Sequence, residues 1–241
     1  MAKIEHQTLN DRAYAELKKG LTSGRFRPGE VLIIRQLADR YGISATPVRE
    51  ALQRLVAERA LEMLPNRSIA VPILTREKFT ELRRIRCALE GLAAELAAPS
   101  LGAADIARMN VLIEAMDKDI ARNNAGDYLD RNERFHFLIY SRAGSPILLR
   151  MIADLWTQVG PFLNFLFEDS DYLAEANDGH KKILRAVEKG DAAAVSESVV
   201  SDIVSAAKSL APRLQELDDV DGGRARPADV EPRPTSRRRR R

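Results

Sequence analysis

The sequence is poor in the residues that mark secreted, disulfide-linked and membrane-spanning proteins. Its one cysteine, Cys87, cannot form a disulfide within the chain, which is typical of a protein from a reducing cytoplasm. The chain has no run of about eighteen apolar residues, the length that a membrane-spanning helix needs. The residues after Met1 also lack the apolar stretch of a secretory signal. We therefore expect a cytoplasmic protein without a membrane partner.

Charge is distributed unevenly along the chain. Residues 1–75 carry 12 Lys and Arg against 8 Asp and Glu, whereas residues 76–217 carry 18 against 22. Residues 218–241 are basic again, with 8 against 5, and they end in five arginines, Arg237–Arg241. A basic front and an acidic middle predict two domains, of which the N-terminal one faces a polyanion.

The front of the chain has the pattern of three helices followed by a β-hairpin. Apolar residues recur at helical spacing between turns rich in Gly and Pro, and short extended pieces follow. The predicted helices are 10–23 with Asn10 or Asp11 as N-cap, 34–41, and a third from its N-cap Ser44 through Val56. The predicted hairpin joins 61–64 to 69–71. This order is that of a winged helix-turn-helix, which we place at residues 1–74.

The rest of the chain is predicted to be all-helical. Six amphipathic segments are separated by short breaks, and short links make neighbouring helices antiparallel, so an antiparallel six-helix bundle is expected over 75–217. The predicted helices are 76–97, 103–123, 126–142, 146–168, 171–189 and 191–216. Residues 218–241 are rich in Gly, Pro and charge and are expected to be disordered, and the arginine tail adds non-specific attraction to DNA or has no separate role. The fold class is therefore mainly α, with a small β-hairpin wing.

Five side chains are the expected DNA contacts. In a helix-turn-helix the second helix enters the major groove, and its first turn presents side chains to bases and phosphates. Arg49 is the expected base contact, because a guanidinium can bridge O6 and N7 of guanine. Ser44 and Thr46 suit phosphates, Arg35 suits the backbone or a base, and Arg67 at the hairpin tip suits the minor groove. The alternative for each arginine is a solvated surface charge.

The motif RPGE, followed by LA and GISATPVREAL, resembles the GntR family of bacterial regulators over about residues 8–73. The resemblance implies a winged helix-turn-helix that binds operator DNA. Two residues depart from the family pattern: Ala45 stands where an arginine is usual, and Ser68 stands in the wing where glycine is frequent. These departures affect the operator sequence rather than DNA binding itself.

Four nitrogen and oxygen donors are expected to meet inside the bundle. Asn132 and His136 are four residues apart and therefore share one face of a helix. His180 and Asp202 lie at similar distances before and after the turn at Gly190, so an antiparallel hairpin brings them to the same height. Bundle cores are where metal and ligand sites are built. The alternative is that each histidine is an ordinary hydrogen-bonded core or surface group.

Residues 76–216 are similar to the ligand-binding FCD domain of FadR-type GntR regulators, in the VanR-like six-helix form. The matching pieces are RCALE with Ala93 and Ala94, NERFH at 132–136, and His180 with the Gly190 turn. In that family an Asp or Asn and three histidines hold a divalent metal beside an organic acid. The resemblance implies Asn132, His136, His180 and Asp202 as ligands, with aspartate in place of the usual third histidine. Zinc or nickel is the expected ion, and a metal-free pocket is the alternative.

Arg86 is implied as the partner of the effector's carboxylate, through paired hydrogen bonds. Its alternative is an ion pair with Glu90, one turn away on the same helix. Together these observations favour a homodimeric repressor that binds a near-palindromic operator and responds to a small carboxylate effector. Two other classes stay open: an enzyme that uses the metal to activate water, and an architectural DNA-binding protein without an effector.

Overall fold

The computed structural model describes residues 8–168 and 170–222 and confirms the mainly helical architecture. No helix among these residues is both long and apolar enough to cross a membrane. Two hydrophobic cores lie along the chain: one is formed by residues 13–71, and the other by residues 74–214.

The first core belongs to a winged helix-turn-helix. Its elements are α1 (Leu9–Thr22), α2 (Ile34–Tyr41), α3 (Ala45–Ala57), β1 (Glu62–Met63) and β2 (Ile69–Ala70). The two strands pair antiparallel, with Glu62 opposite Ala70 and Met63 opposite Ile69. Gly42 ends α2 with a φ of 63°, the left-handed conformation that glycine adopts at no steric cost, and so makes the tight turn into α3 possible.

The N-cap of α1 differs from the expectation. It is Thr8, whose hydroxyl accepts a hydrogen bond from the Asp11 backbone N–H, while the Asp11 carboxylate accepts from the Thr8 backbone N–H. Asp11 is therefore the reciprocal member of a capping box and not the cap. Ser44 does occupy the N-cap position of α3, but its side chain makes no capping hydrogen bond.

The second core is a bundle of six long helices joined by short links. These helices are α4 (Arg76–Ala97), α5 (Ala103–Ala121), α6 (Ala125–Tyr140), α7 (Pro146–Val159), α8 (Ser170–Glu188) and α9 (Ala192–Gly222). The last helix thus continues beyond the predicted end of the bundle at residue 217. The remainder of the expected tail, including Arg237–Arg241, lies outside the described residues.

One segment of the bundle departs from the predicted helix 146–168. The α-helix ends at Val159, and Gly160–Glu168 forms a 3-10 helix, called here the 3-10 segment. Pro161 cannot continue the α-helical hydrogen bonds, and Gly160 lies against the winged domain, since a Cβ on Gly160 would collide with the backbone carbonyls of Leu21 and Thr22. The two domains are therefore in direct contact through the end of α1.

Candidate DNA-reading face and metal centre

All five predicted DNA-contact residues are exposed. Ser44, Thr46 and Arg49 lie at the start and in the first turns of α3 and are exposed, whereas Val48 of the same helix is buried in the core. Because the Ser44 hydroxyl does not cap the helix, the first backbone N–H groups of α3 are left for an external acceptor such as a phosphate.

Arg35 and Arg67 extend this surface on other elements. Arg35 lies in the first turn of α2, and Arg67 lies in the wing turn. Arg67 itself adopts the left-handed conformation, with a φ of 65°, while the neighbouring Ser68 N–H donates to the Asn66 side chain. In this turn the positive φ falls on Arg67. Ser68, which stands where glycine is frequent, therefore does not need a left-handed conformation.

Arg49 and Arg54 are on the same helix but have different surroundings. Arg54 pairs with Glu58 at 3.1 Å and stacks over the Tyr14 ring at 3.7 Å. Within the described part of the chain, no ion pair or hydrogen bond engages the Arg49 side chain. Arg49 is thus free to contact a ligand, whereas Arg54 is held by its own domain.

The four predicted donors meet inside the bundle, from three helices. Asn132 and His136 lie on α6, His180 on α8 and Asp202 on α9, and both histidines are buried. His180 Nε2 is 2.9 Å from Asn132 Oδ1, and His136 Nε2 is 3.3 Å from Asp202 Oδ2. The ligating atoms of the two histidines and Asp202 all lie within 4.8 Å of one another. Two ligands about 2.1 Å from one ion, 90 to 110° apart, are roughly 3.0 to 3.4 Å from each other, so these spacings suit a shared metal ion.

Asn177 determines which nitrogen of His180 carries the proton. The Asn177 amide nitrogen donates to the Ile113 carbonyl and to Asp117, both at 2.8 Å, so its oxygen faces His180 Nδ1 as an acceptor. Nδ1 of His180 therefore bears the proton. Burial lowers the pKa of His180 to about 4, and the ring is neutral near pH 7.

The Nε2 lone pair of neutral His180 consequently faces the Asn132 oxygen, which is also an acceptor. Such a buried pair is stable only if a cation lies beside both atoms or the Asn132 amide is reversed. The chemistry of these donors and their spacing therefore fit a divalent metal ion.

His136 is oriented in the same way by a buried network. Tyr140 donates its hydroxyl proton to Glu90 at 2.7 Å, and its oxygen lies 3.2 Å from His136 Nδ1. This arrangement directs Nε2 of His136 towards Asp202. Burial acts to raise the pKa of Asp202, but its contact with His136, the nearby His180 and the charge of Arg86 outweigh burial and hold the pKa below the ordinary value. Asp202 is therefore ionised near pH 7, the state in which a carboxylate can bind a metal ion.

Glu90 is the centre of that network, and it engages Arg86. Its carboxylate accepts from Arg86 Nε at 2.5 Å and Nη2 at 3.3 Å, and from Trp156 Nε1 at 3.0 Å. The ion pair that was the alternative for Arg86 is thus present. Arg86 nevertheless lines the same small cavity as His136 and Asp202, and its Nη1 group is not used by Glu90.

The cavity beside the donors is small. It has a volume of about 30 Å³, and the side chains that line it include the apolar Leu129, Leu163 and Leu166. A groove of about 420 Å³ runs along the outside between α8 and α9, and Tyr172 and Asp202 line both spaces. The donor set therefore lies between a small inner cavity and a larger outer groove.

Sequence reasoning missed Asn177 and Gly179, and it named Glu90 only as a partner of Arg86. Glu90 and Asn177 orient the histidines, and Gly179 admits Asp202, because a Cβ on Gly179 would collide with the Asp202 carboxylate. The only signal in the sequence was a glycine next to His180 inside a strongly helical segment, where glycine is unfavourable.

Two family models match different parts of the chain. A family model described as bacterial regulatory proteins, gntR family, matches residues 9–71, and the FCD domain model matches residues 81–204. The HTH-type transcriptional regulator McbR of Escherichia coli is 37% identical over 166 residues, which are 69% of this chain and 75% of McbR. The HTH-type transcriptional repressor GlaR of Escherichia coli is 28% identical, covering 76% of this chain and 87% of GlaR.

Solved structures show the same fold. The structure of E. coli McbR/YncC superposes with a TM-score of 0.76 at 30% identity, over 90% of this chain and all of that one. A transcriptional regulator GntR from Rhodococcus sp. RHA1 gives a TM-score of 0.62 at 21% identity, over 90% and 99% of the two chains. The second similarity supports the fold alone.

Proposed function

The chain belongs to the gntR family of bacterial regulatory proteins and carries an FCD domain, and from this premise we propose that it is an operator-binding repressor controlled by a small organic acid. The relatives it matches are transcriptional regulators, so it is a regulator and not a metal-dependent enzyme. The observation that carries the proposal is the exposed first turn of α3 with an unpaired Arg49. Because it acts on chromosomal DNA, we place it in the cytoplasm.

In the proposed complex, α3 enters the major groove of double-stranded DNA. Arg49 bridges O6 and N7 of a guanine, while Ser44, Thr46 and the first N–H groups of α3 bind phosphates. Arg35 contacts the backbone or a base, and Arg67 reaches the minor groove from the wing. Selection of duplexes from a randomised pool with the full chain, followed by footprinting, tests this. A near-palindromic selected site with a protected guanine supports the proposal, and recovery of unrelated sequences contradicts it.

The bundle provides the sensing site. We propose that Asn132, His136, His180 and Asp202 hold a divalent ion, zinc or nickel, for which the acceptor pair and the ligand spacing are the support. When bound, the ion supplies a Lewis-acidic position for a carboxylate oxygen of the effector. Arg86 offers its remaining Nη1 group to the same carboxylate while Glu90 keeps its side chain in place.

A homodimer is proposed from one face of α4. Ile85, Leu92 and Leu96 share this face and are 40%, 46% and 47% exposed, although they are large and apolar. A second copy of the chain placed against this stripe would bury it and give two winged domains for two half-sites. The proposed effector changes the relative position of these domains and releases the operator.

The direct test of sensing is a thermal-shift screen of small carboxylic acids on zinc-loaded and nickel-loaded protein, followed by operator binding with each hit. We expect at least one acid to raise the Tm only when metal is present, and to weaken operator binding. Ligands that raise the Tm without any change in operator affinity would contradict the regulatory role.

A second candidate is an architectural DNA-binding protein with a structural metal and no effector. The observation that favours it is the inner cavity, which at about 30 Å³ has room for one or two water molecules. In that case metal would raise the Tm, no carboxylic acid would raise it further, and operator affinity would be the same with every acid of the screen.

A further inference from the structure

The 3-10 segment lies between the inner cavity and the DNA-binding domain. On one side its Leu163 and Leu166 line the cavity beside the metal donors. On the other side its Asn164 amide donates to the backbone carbonyl of Gly24, and Gly160 packs against the carbonyl of Leu21. One short element therefore contacts both the proposed sensing site and the end of α1.

Gly24 is held in a tight enclosure formed by Leu129, Gly160 and Asn164, which we call the Gly24 socket. A Cβ on Gly24 would lie 2.8 Å from Leu129 Cδ1 and 3.0 Å from the Gly160 carbonyl oxygen, and Gly24 has a φ of 64° that favours glycine. Leu129 also lines the inner cavity. Every wall of the socket is thus a cavity-lining residue or belongs to the 3-10 segment.

An organic acid does not fit the inner cavity in this arrangement. About 30 Å³ holds one or two waters, whereas even a small carboxylic acid has at least four non-hydrogen atoms, so a wall must move. The cavity residues Arg86, His136 and Ile203 lie on continuous α-helices. A 3-10 helix has weaker hydrogen-bond geometry and rarely extends over nine residues, which makes the 3-10 segment the wall that moves most easily.

We infer that the 3-10 segment and the Gly24 socket transmit occupation of the cavity to the DNA-binding domain. A ligand that displaces Leu163 and Leu166 also displaces Asn164, which releases the Gly24 carbonyl and repositions α1. The buried residues Leu17 and Leu21 of α1 are in the same core as Leu52 and Leu55 of α3, so the recognition helix follows α1. This inference rests on the proposed function.

Other contacts between the domains include a hydrogen bond from Thr22 to Glu133 at 2.8 Å and two ion pairs, and none of these residues lines the cavity. Lys18 pairs with Asp154 at 2.8 Å, and Lys19 pairs with Asp130 at 3.0 Å, but the four side chains are at least partly exposed. Exposed pairs of this kind contribute little to stability. They keep the domains together without sensing the cavity, and Asp154→Asn therefore serves as the matched control for the socket.

Trp156 makes the coupling measurable in the full chain. It is the single tryptophan of the sequence, and it lines the inner cavity, so its emission reports on that space. By linkage, DNA that repositions α1 must change the cavity in return. We expect a selected operator duplex to change the Trp156 emission and to shift the Kd for Zn²⁺ at least threefold. Both effects should occur in the wild-type protein and in Asp154→Asn.

Asn164→Ala is the decisive variant. It should keep the wild-type Kd for Zn²⁺ without DNA within twofold, and lose at least half of the DNA-induced emission change together with the DNA-induced shift in Kd. A wild-type response to DNA in Asn164→Ala would overturn the inference, as would a wild-type protein that binds both DNA and Zn²⁺ without any mutual effect.

A second variant fills part of the inner cavity with a larger side chain. Ala206 of α9 lines the inner cavity, so Ala206→Leu adds a side chain that presses on Leu163 and Leu166. We expect operator affinity to change at least threefold, and the change to disappear when Asn164→Ala is added. An unchanged affinity in folded Ala206→Leu would contradict the inference. If the wild-type protein selects no DNA sequence or binds no Zn²⁺, the proposed function is wrong. If it does both, but the effect of Ala206→Leu does not depend on Asn164, only the present inference is wrong.

Discussion

The proposed DNA-reading face and the proposed metal centre differ in how their residues are brought together. Ser44, Thr46 and Arg49 come from six consecutive residues, and their exposure depends on one helix and the turn before it. The metal donors come from three helices and span residues 132–202, so they meet only if α6, α8 and α9 pack in the right register. The first site is local and solvent-exposed, and the second is buried and depends on the whole bundle.

This difference determines what holds each site in position. The face of α3 needs few partners, since its residues act on an external polyanion and stay solvated until DNA binds. The metal centre needs buried orienting groups, because each histidine must present a lone pair in a space from which water is largely excluded. Substitutions should therefore act on recognition one contact at a time, and on the metal centre through neighbours as well as through ligands.

The largest effect is expected when two of the proposed metal ligands are removed together. In His136→Ala with His180→Ala, bound zinc should fall from near one ion per chain to background, because two ligands are lost at once, and loss of an orienting group alone typically costs 10- to 100-fold. Elemental analysis after dialysis measures this, with His6→Ala as a control of the same residue type. The nearly isosteric Asp202→Asn checks that the loss is not unfolding. Equal zinc in all variants would exclude the site.

Removing one exposed contact should have the next largest effect. Arg49→Ala is expected to weaken operator binding by about 5- to 150-fold, corresponding to about 1–3 kcal/mol for a bidentate contact with guanine, while circular dichroism and Tm stay unchanged. Fluorescence anisotropy with the selected operator measures it. Arg54→Ala, on the same helix, should have a smaller effect because Arg54 is engaged by Glu58 and Tyr14. The reverse order would show that the wrong arginine was assigned.

The local features of the fold could be predicted from the sequence. Helix α2 begins and ends where apolar spacing and Gly42 place it, and α4 matches its predicted bounds. The predicted N-cap of α1, Asn10 or Asp11, was wrong. Thr8 and Asp11 form a capping box in which aspartate takes the position where glutamate or glutamine is more usual. Spacing along one chain segment is enough for such elements because their hydrogen bonds are local.

Features that depend on distant partners could not be predicted. Helix α7 ends at Gly160-Pro161, a local break that the predicted helix 146–168 passed over, whereas the close approach of Gly160 to the carbonyl of Leu21 depends on a residue far away in the sequence. The four donors could be predicted because histidine is scarce and a hairpin aligns two of them. The network around Glu90 could not be predicted, since a buried carboxylate on an amphipathic helix has the same sequence pattern as an exposed one.

A third prediction separates the dimer surface from both sites. Leu92→Glu places a charge in the exposed apolar stripe of α4 and should weaken dimerisation at least tenfold, because burying an unpaired carboxylate is costly. Analytical ultracentrifugation across protein concentrations measures it. Val111→Glu is the control, since Val111 is 65% exposed on α5, outside the stripe. Zinc content should remain unchanged in both variants. A monomeric wild-type protein, or equal weakening by Val111→Glu, would contradict the proposed interface.

The smallest expected effect concerns a residue that is neither a ligand nor a DNA contact. Gly179→Ala should favour helix α8 by about 1 kcal/mol from propensity alone, yet its Cβ would force the Asp202 carboxylate away from His136. We expect zinc affinity to fall roughly tenfold, the range typical of displaced orienting groups, with little change in Tm.

Gly126→Ala is the matched control for Gly179→Ala. It lies in the first turn of α6, the helix of Asn132 and His136, and its Cβ would meet nothing closer than 3.9 Å. Zinc affinity should stay at the wild-type value in this variant, as measured by competition with a chromogenic chelator. If Gly179→Ala also keeps wild-type affinity, Asp202 does not contribute to binding from its observed position. The buried centre would then depend on α6 and α8 only, and would be nearly as local as the face of α3.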